Sequence, residues 1–128
     1  MKLVAEISAG ELLDKITILE IKLEHISDEA KRVNIGREYA ALVEAFDKEI
    51  APSQALARLR DALKQVNAEL WRVEDNIREQ ERARTFGVEF VALARSVYRI
   101  NDRRAALKRE INELLGSRLI EEKSYSAY

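Results

Sequence analysis

An antiparallel all-α bundle of about four helices is the fold this sequence predicts, and three observations carry it. Charged residues make up 35% of the chain against 6% aromatic, and there is one proline among 128 residues. Apolar residues recur every three or four positions through most of the length, the period of helices that bury one stripe. Such a composition favours long solvated helices over sheets. The length suits one domain whose core needs no covalent staple, with residues 1–116 as the bundle and 117–128 as a C-terminal arm.

Residues Leu3 to Ile7 read as a short strand or an extended lead. Ser8 and Glu11 then have the S-x-x-E spacing of a capping box, in which each side chain satisfies a free backbone N–H of the first turn. The first helix should run to about Ile26, because Leu12, Ile16, Leu19, Leu23 and Ile26 recur in a 4-3-4-3 rhythm, the seam of coiled-coil-like packing. The second should start after Ser27 or Asp28 and stop before Pro52, with Ile35, Tyr39, Leu42, Phe46 and Ile50 on one face. Gly36 costs it about 1 kcal/mol relative to alanine, so a kink or break is expected near Asn34 to Gly36. The third starts near Ser53 and carries the most regular ladder, Leu56, Leu59, Leu63, Val66, Leu70, Val73 and Ile77. Thr85 to Gly87 should end it. The fourth resumes with Phe90, Leu93, Val97 and Ile100, continues through Leu107, Ile111 and Leu114, and stops at Gly116.

Arg104 falls where that last ladder calls for a hydrophobe. Short connections make antiparallel neighbours, so the third and fourth helices should form a long hairpin folded about Thr85. Equal distances from the turn then bring Asn67 near Arg104 and Glu74 near Val97. Asn67 cannot neutralise a guanidinium, and the acid expected to do so is Glu20 or Glu74. On the structural reading Arg104 fixes register or snorkels to the surface. On the functional reading it lines a polar pocket with Asn67, Asn101 and Glu74 that binds an anionic or hydroxyl-rich ligand.

Arg95, Arg99 and Arg103 form a second feature, a positive stripe with few acids three or four positions away. It would bind phosphate or a nucleotide sugar, or else lie as a solvated face against Glu74, Asp75, Glu79 and Glu81. The first helix is apolar on two faces, since Ile18 and Ile21, together with Asp14 and His25, lie opposite its main seam. It belongs at the centre of the bundle or in a subunit interface, and a homodimer follows from the second placement. His25 reads as a capping or interface residue rather than a general base.

Several classes are excluded. A formal net charge of −1 gives no general basis for binding nucleic acid or an acidic membrane. The absence of cysteine removes disulfides and thiolate chemistry, and no apolar run reaches membrane length, so a cytoplasmic protein is expected. Paired acids such as Glu11 with Asp14, Glu44 with Asp47 and Glu110 with Glu113 lack the order that helical pyrophosphohydrolases need for metal. The single histidine, His25, has no Glu-x-x-His partner for a di-iron centre. Neither a metal nor a cofactor is expected.

GELLDKITILEIKLEHI at Gly10 to Ile26, VNAELWRVEDNIREQE at Val66 to Glu81 and LARSVYRINDRRAALKREIN at Leu93 to Asn112 together resemble a small bacterial helical family catalogued only as a domain of unknown function. The resemblance implies a bacterial stand-alone domain associated with cell-surface polysaccharide or glycosyltransferase systems, and it supplies no catalytic residue. The expected function is therefore a helical interaction or assembly module, pairing with itself or a protein partner through the first helix or the exposed ends of the third and fourth. The alternative is a binding protein or enzyme for an anionic sugar or nucleotide. Arg99, Asn101, Arg103, Arg104 and Asn67 would then hold the ligand, and Glu74, Asp75 or Asp14 would perform acid/base work.

Overall fold

Every helix in this protein begins at a residue suited to closing a first turn, and these residues divide the chain into four. The computed structural model describes residues 1–128 and contains helices α1 (Ala9–His25), α2 (Glu29–Glu49), α3 (Gln54–Ala83) and α4 (Val88–Leu115), with no strand. Ser8, Asp28 and Ser53 cap the first three, each side chain accepting an N–H three residues on. Gly87 opens α4 without a side-chain bond, and Gly116 closes it in the left-handed conformation at φ 64°. Arg84 ends α3 in the same conformation at φ 54°, an uncommon one for a residue with a Cβ.

Of the two readings of residues Leu3 to Ile7 the extended lead holds, because no second strand exists to pair with them. Two expectations are corrected. α2 runs unbroken through Gly36, since burial of Ile35 and Phe46 on either side outweighs a propensity cost of about 1 kcal/mol. Only half of the capping box forms at α1: Ser8 accepts from the Glu11 N–H at 3.2 Å, while the Glu11 carboxylate turns to Lys108 Nζ at 2.6 Å.

α1 packs against all three other helices, α3 and α4 share the most extensive contact, and α2 lies along α1. The double-faced first helix is thus the centre of the bundle. Leu13, Ile16 and Ile21 are wholly buried, and the main cluster joins Leu12, Leu13 and Ile16 to Phe46, Leu56, Leu63 and Ile111. The α4 ladder ends one residue later than its spacing indicates, with Leu115 packed on the core and Leu114 exposed.

The two ends of α1 are held by other elements, because its terminal backbone groups lack intrahelical partners. At the N-terminus the Ala9 N–H donates to Ser117 Oγ at 2.8 Å and the Gly10 N–H to Asn112 Oδ1 at 2.6 Å. At the C-terminus Arg32 Nη1 of α2 donates to the carbonyls of Leu23 and Ile26, at 2.5 and 2.9 Å. Gly10 sits so close to α4 that an added Cβ would lie 2.3 Å from the Lys108 carbonyl oxygen. Only hydrogen fits there.

Beyond this junction the hairpin is less covered. No residue between Asn67 and Ile100 is buried. The C-terminal arm returns along α4, with Glu121 on Lys108, Glu122 on Arg109, and Tyr128 bonded to Asp102 and tilted against Tyr98.

Gly10→Ala should destabilise the protein by about 1–3 kcal/mol through overpacking against backbone, whereas Gly36→Ala, with open space around it, should stabilise by up to about 1 kcal/mol. Urea unfolding midpoints of the two variants check the opposite signs.

Candidate functional site

α1, α3 and α4 meet at a buried carboxylate. Asp14 is 1% exposed, on the side of α1 opposite its main seam. Arg104 of α4 grips it with two parallel bonds, Nε to Oδ1 at 2.9 Å and Nη2 to Oδ2 at 2.5 Å, the fork geometry that makes arginine–carboxylate pairs strong. From α3, Asn67 Nδ2 donates to the same Oδ1 at 2.9 Å and to Thr17 Oγ1 at 3.1 Å, and the Thr17 hydroxyl in turn donates to the Asp14 carbonyl. Burial alone would raise the Asp14 pKa. The Arg104 and Asn67 hydrogen bonds and the charges of Arg104 and Lys108 together outweigh it and hold the carboxyl below its ordinary value of 3.8.

The acid that meets Arg104 is therefore Asp14, and neither Glu20 nor Glu74. Glu20 accepts from Arg60 Nη2 at 2.8 Å and from the Tyr39 hydroxyl at 2.9 Å, and Glu74 pairs with Arg78 one turn along its own helix. Next to this pair, the Lys108 ammonium lies between Glu11 at 2.6 Å and Glu121 at 2.9 Å. Desolvation works against the charged lysine, but the two carboxylates prevail and raise its pKa.

Beside Asp14 opens a groove of about 430 Å³. Asn67 and Arg104 form its polar floor, Ile18, Leu70 and Trp71 its apolar wall, and Glu74, Asp75 and Arg78 its charged edge. The α3 contributors recur at i, i+3, i+4, i+7, i+8 and i+11 from Asn67, one continuous helical face. His25 stacks on Trp71 with ring centroids 5.1 Å apart, so the indole is held in place. One group in the floor has no partner: Asn67 Oδ1 is buried, 5% of the residue being exposed, and accepts no hydrogen bond. Its amide cannot simply flip, because Nδ2 faces two oxygens and one of them belongs to a carboxylate that can only accept.

The proposed ligand residues are thus divided. Asn67, Arg104, Glu74 and Asp75 share the groove. Asn101 touches it through a long contact, its Oδ1 being 3.5 Å from Arg104 Nη1. Arg103 lies on another face, paired with Glu69 at 2.8 Å, and Arg95, followed by Arg99, lowers the pKa of the exposed Tyr98. The arginine stripe does not meet Glu74 or Glu79, which pair with Arg78 and Arg82 within α3. Asp14 is buried under Arg104 and Asn67 and does not itself line the groove. Trp71, Ile18 and Arg78 were not anticipated as site residues. The signal for Trp71 and Arg78 was present in their helical spacing from Asn67.

A match to the family of unknown function DUF6165 covers residues 1–128. The chain belongs to DUF6165. No curated protein and no solved structure matches it. In this DUF6165 chain the groove is accordingly interpreted from its own chemistry.

Arg104→Met should cost about 3 kcal/mol by leaving Asp14 buried and unpaired, and adding Asp14→Leu should recover most of the loss. Denaturant unfolding of the single and double variants checks both. Because the Asp14 pKa is lower in the folded state, its contribution is complete above the ordinary carboxylate value and disappears as pH falls through the folded-state value. Asp14→Asn should flatten that acid limb in a series of unfolding curves below pH 3.8.

Proposed function

We propose that this protein is a helical assembly module whose occupant is a second copy of the same chain, paired through the free end of the α3–α4 hairpin. The observation that carries this reading is the absence of any buried residue between Asn67 and Ile100 in a hairpin that keeps an apolar ladder. Val73, Ile77, Phe90, Leu93 and Val97 are only half covered by the facing helix. Near the turn Phe86, Val88 and Val91 are exposed, with Phe86 set edge-on to Phe90 at 5.2 Å. Two such hairpins packed face to face complete a four-helix arrangement, burying apolar surface at about 25 cal/mol per Å².

Charge favours a like partner over a strongly charged one. Basic and acidic residues nearly cancel between Trp71 and Ile100, and both signs are interspersed along α3. The small net charge of this segment lets two copies approach without a large overall repulsion. Interface formation through α1 has no such support, because Ile21 is buried within the bundle.

The solution mass should be that of a dimer, and Val88→Glu combined with Val91→Glu should halve it while leaving helix content unchanged. Light scattering and circular dichroism measure the two quantities. A monomeric wild-type protein, or a dimer unaffected by both substitutions, would rule the reading out.

A further inference from the structure

We propose that the C-terminal arm is an autoinhibitory strap, which occupies one end of the α4 face that a second copy must cover and leaves it when the arm's charged contacts are screened. This rests on the hairpin pairing proposed above and adds its regulation.

The arm is attached by side chains alone. No residue from Arg118 to Tyr128 is buried, and none makes a backbone–backbone hydrogen bond, the last in the chain being the Ser117 N–H to the Asn112 carbonyl at 2.8 Å. At its root Arg118 pairs with Glu6, and Glu121 reaches Lys108 at 2.9 Å. The Lys108 side chain is only 11% exposed, so this pair is a sheltered anchor. Beyond it the contacts face solvent: Glu122 on Arg109 at 3.2 Å, and the Tyr128 hydroxyl donating to Asp102. The tip is not packed down either, since Tyr98, Asp102 and arm residues between Lys123 and Tyr128 line a space of about 830 Å³. Exposed polar contacts around open space make an attachment that forms and breaks readily.

That tip sits on the apolar stripe of α4. Val88, Val91, Tyr98 and Asp102 lie at i, i+3, i+10 and i+14, one face of the helix. The first three are exposed, and Tyr128 lies against Tyr98 with ring centroids 5.0 Å apart. A second copy packed along this stripe has to displace Tyr128. The exchange favours the larger partner, because Tyr128 leaves Tyr98 41% exposed, whereas a facing helix covers the tyrosine and both valines together. Pairing requires both arms to be off. With contacts this weak, a tip docked for about two-thirds of the time leaves about one copy in three competent, and releasing both copies tightens the dimer about ten-fold.

Sedimentation equilibrium of the full chain tests the strap. Tyr128→Ala combined with Glu122→Gln removes the tip contacts and keeps Glu121 on Lys108, and its dimer Kd should be about ten-fold lower than that of wild type. Raising sodium chloride from about 0.05 M to about 0.5 M shortens the screening length about three-fold, which should lower the wild-type Kd and leave that of the double variant nearly constant. A double variant that dimerises no more tightly than wild type, or a salt response that is the same in both proteins, overturns the strap. Val88→Glu with Val91→Glu judges the pairing separately. If those substitutions dissociate a dimer that the arm substitutions leave unchanged, the pairing stands and the strap falls; if no form of the chain dimerises, both fall.

Discussion

A single ionised carboxylate, buried where three helices cross, is the constraint on which the rest of this bundle depends. Asp14 can occupy that position only if its charge is answered, and Arg104 does so with a two-pronged grip while Asn67 fills a further acceptor site. The pairing continues along the α1–α4 contact as a polar zipper. Arg104, Lys108 and Asn112, spaced at four residues on α4, meet Asp14, Glu11 and Gly10 on α1 in antiparallel order. A slip of one turn would strand two buried charges, so the zipper sets the register of these helices more than it adds to their net stability. Gly10 is the steric counterpart of this electrostatic constraint, since the zipper closes only where backbone meets backbone.

The same geometry divides the molecule into two regions of different character. Around α1 the side chains are buried and the helix ends are held by partners from other elements. Past Trp71 the apolar ladder of the hairpin is only partly covered, with the C-terminal arm against it at Tyr98. The groove lies at the boundary, lined by Ile18 of α1, Trp71 of α3 and Arg104 of α4 beside the buried Asn67. An unpartnered amide oxygen at that boundary and bare apolar side chains beyond it are different kinds of incompleteness. Only the second faces solvent, because Asn67 Oδ1 is itself buried.

Helix boundaries were legible because their causes are local. Ser8, Asp28 and Ser53 cap within three residues, Gly116 adopts a conformation that suits glycine, and the α3 ladder repeats over its whole length. The hairpin also followed from a short connection at Thr85 to Gly87, and with it the proximity of Asn67 to Arg104. The errors came where two local signals competed, as at Gly36, or where a motif partner had a stronger claim elsewhere, as Glu11 had with Lys108.

What the sequence by itself determined is the all-α class, the four helices, the hairpin and the anomaly of Arg104, because periodicity, caps and turn residues act over a few positions. Only the tertiary structure decided which acid answers Arg104, which face of α1 meets α4, and that Asn67 Oδ1 is buried without a partner. A helix with two apolar faces can be rotated in more than one way without violating its own pattern. Its rotation is set by contacts with residues some ninety positions distant, such as Arg104 on Asp14, and no local rule reaches that far.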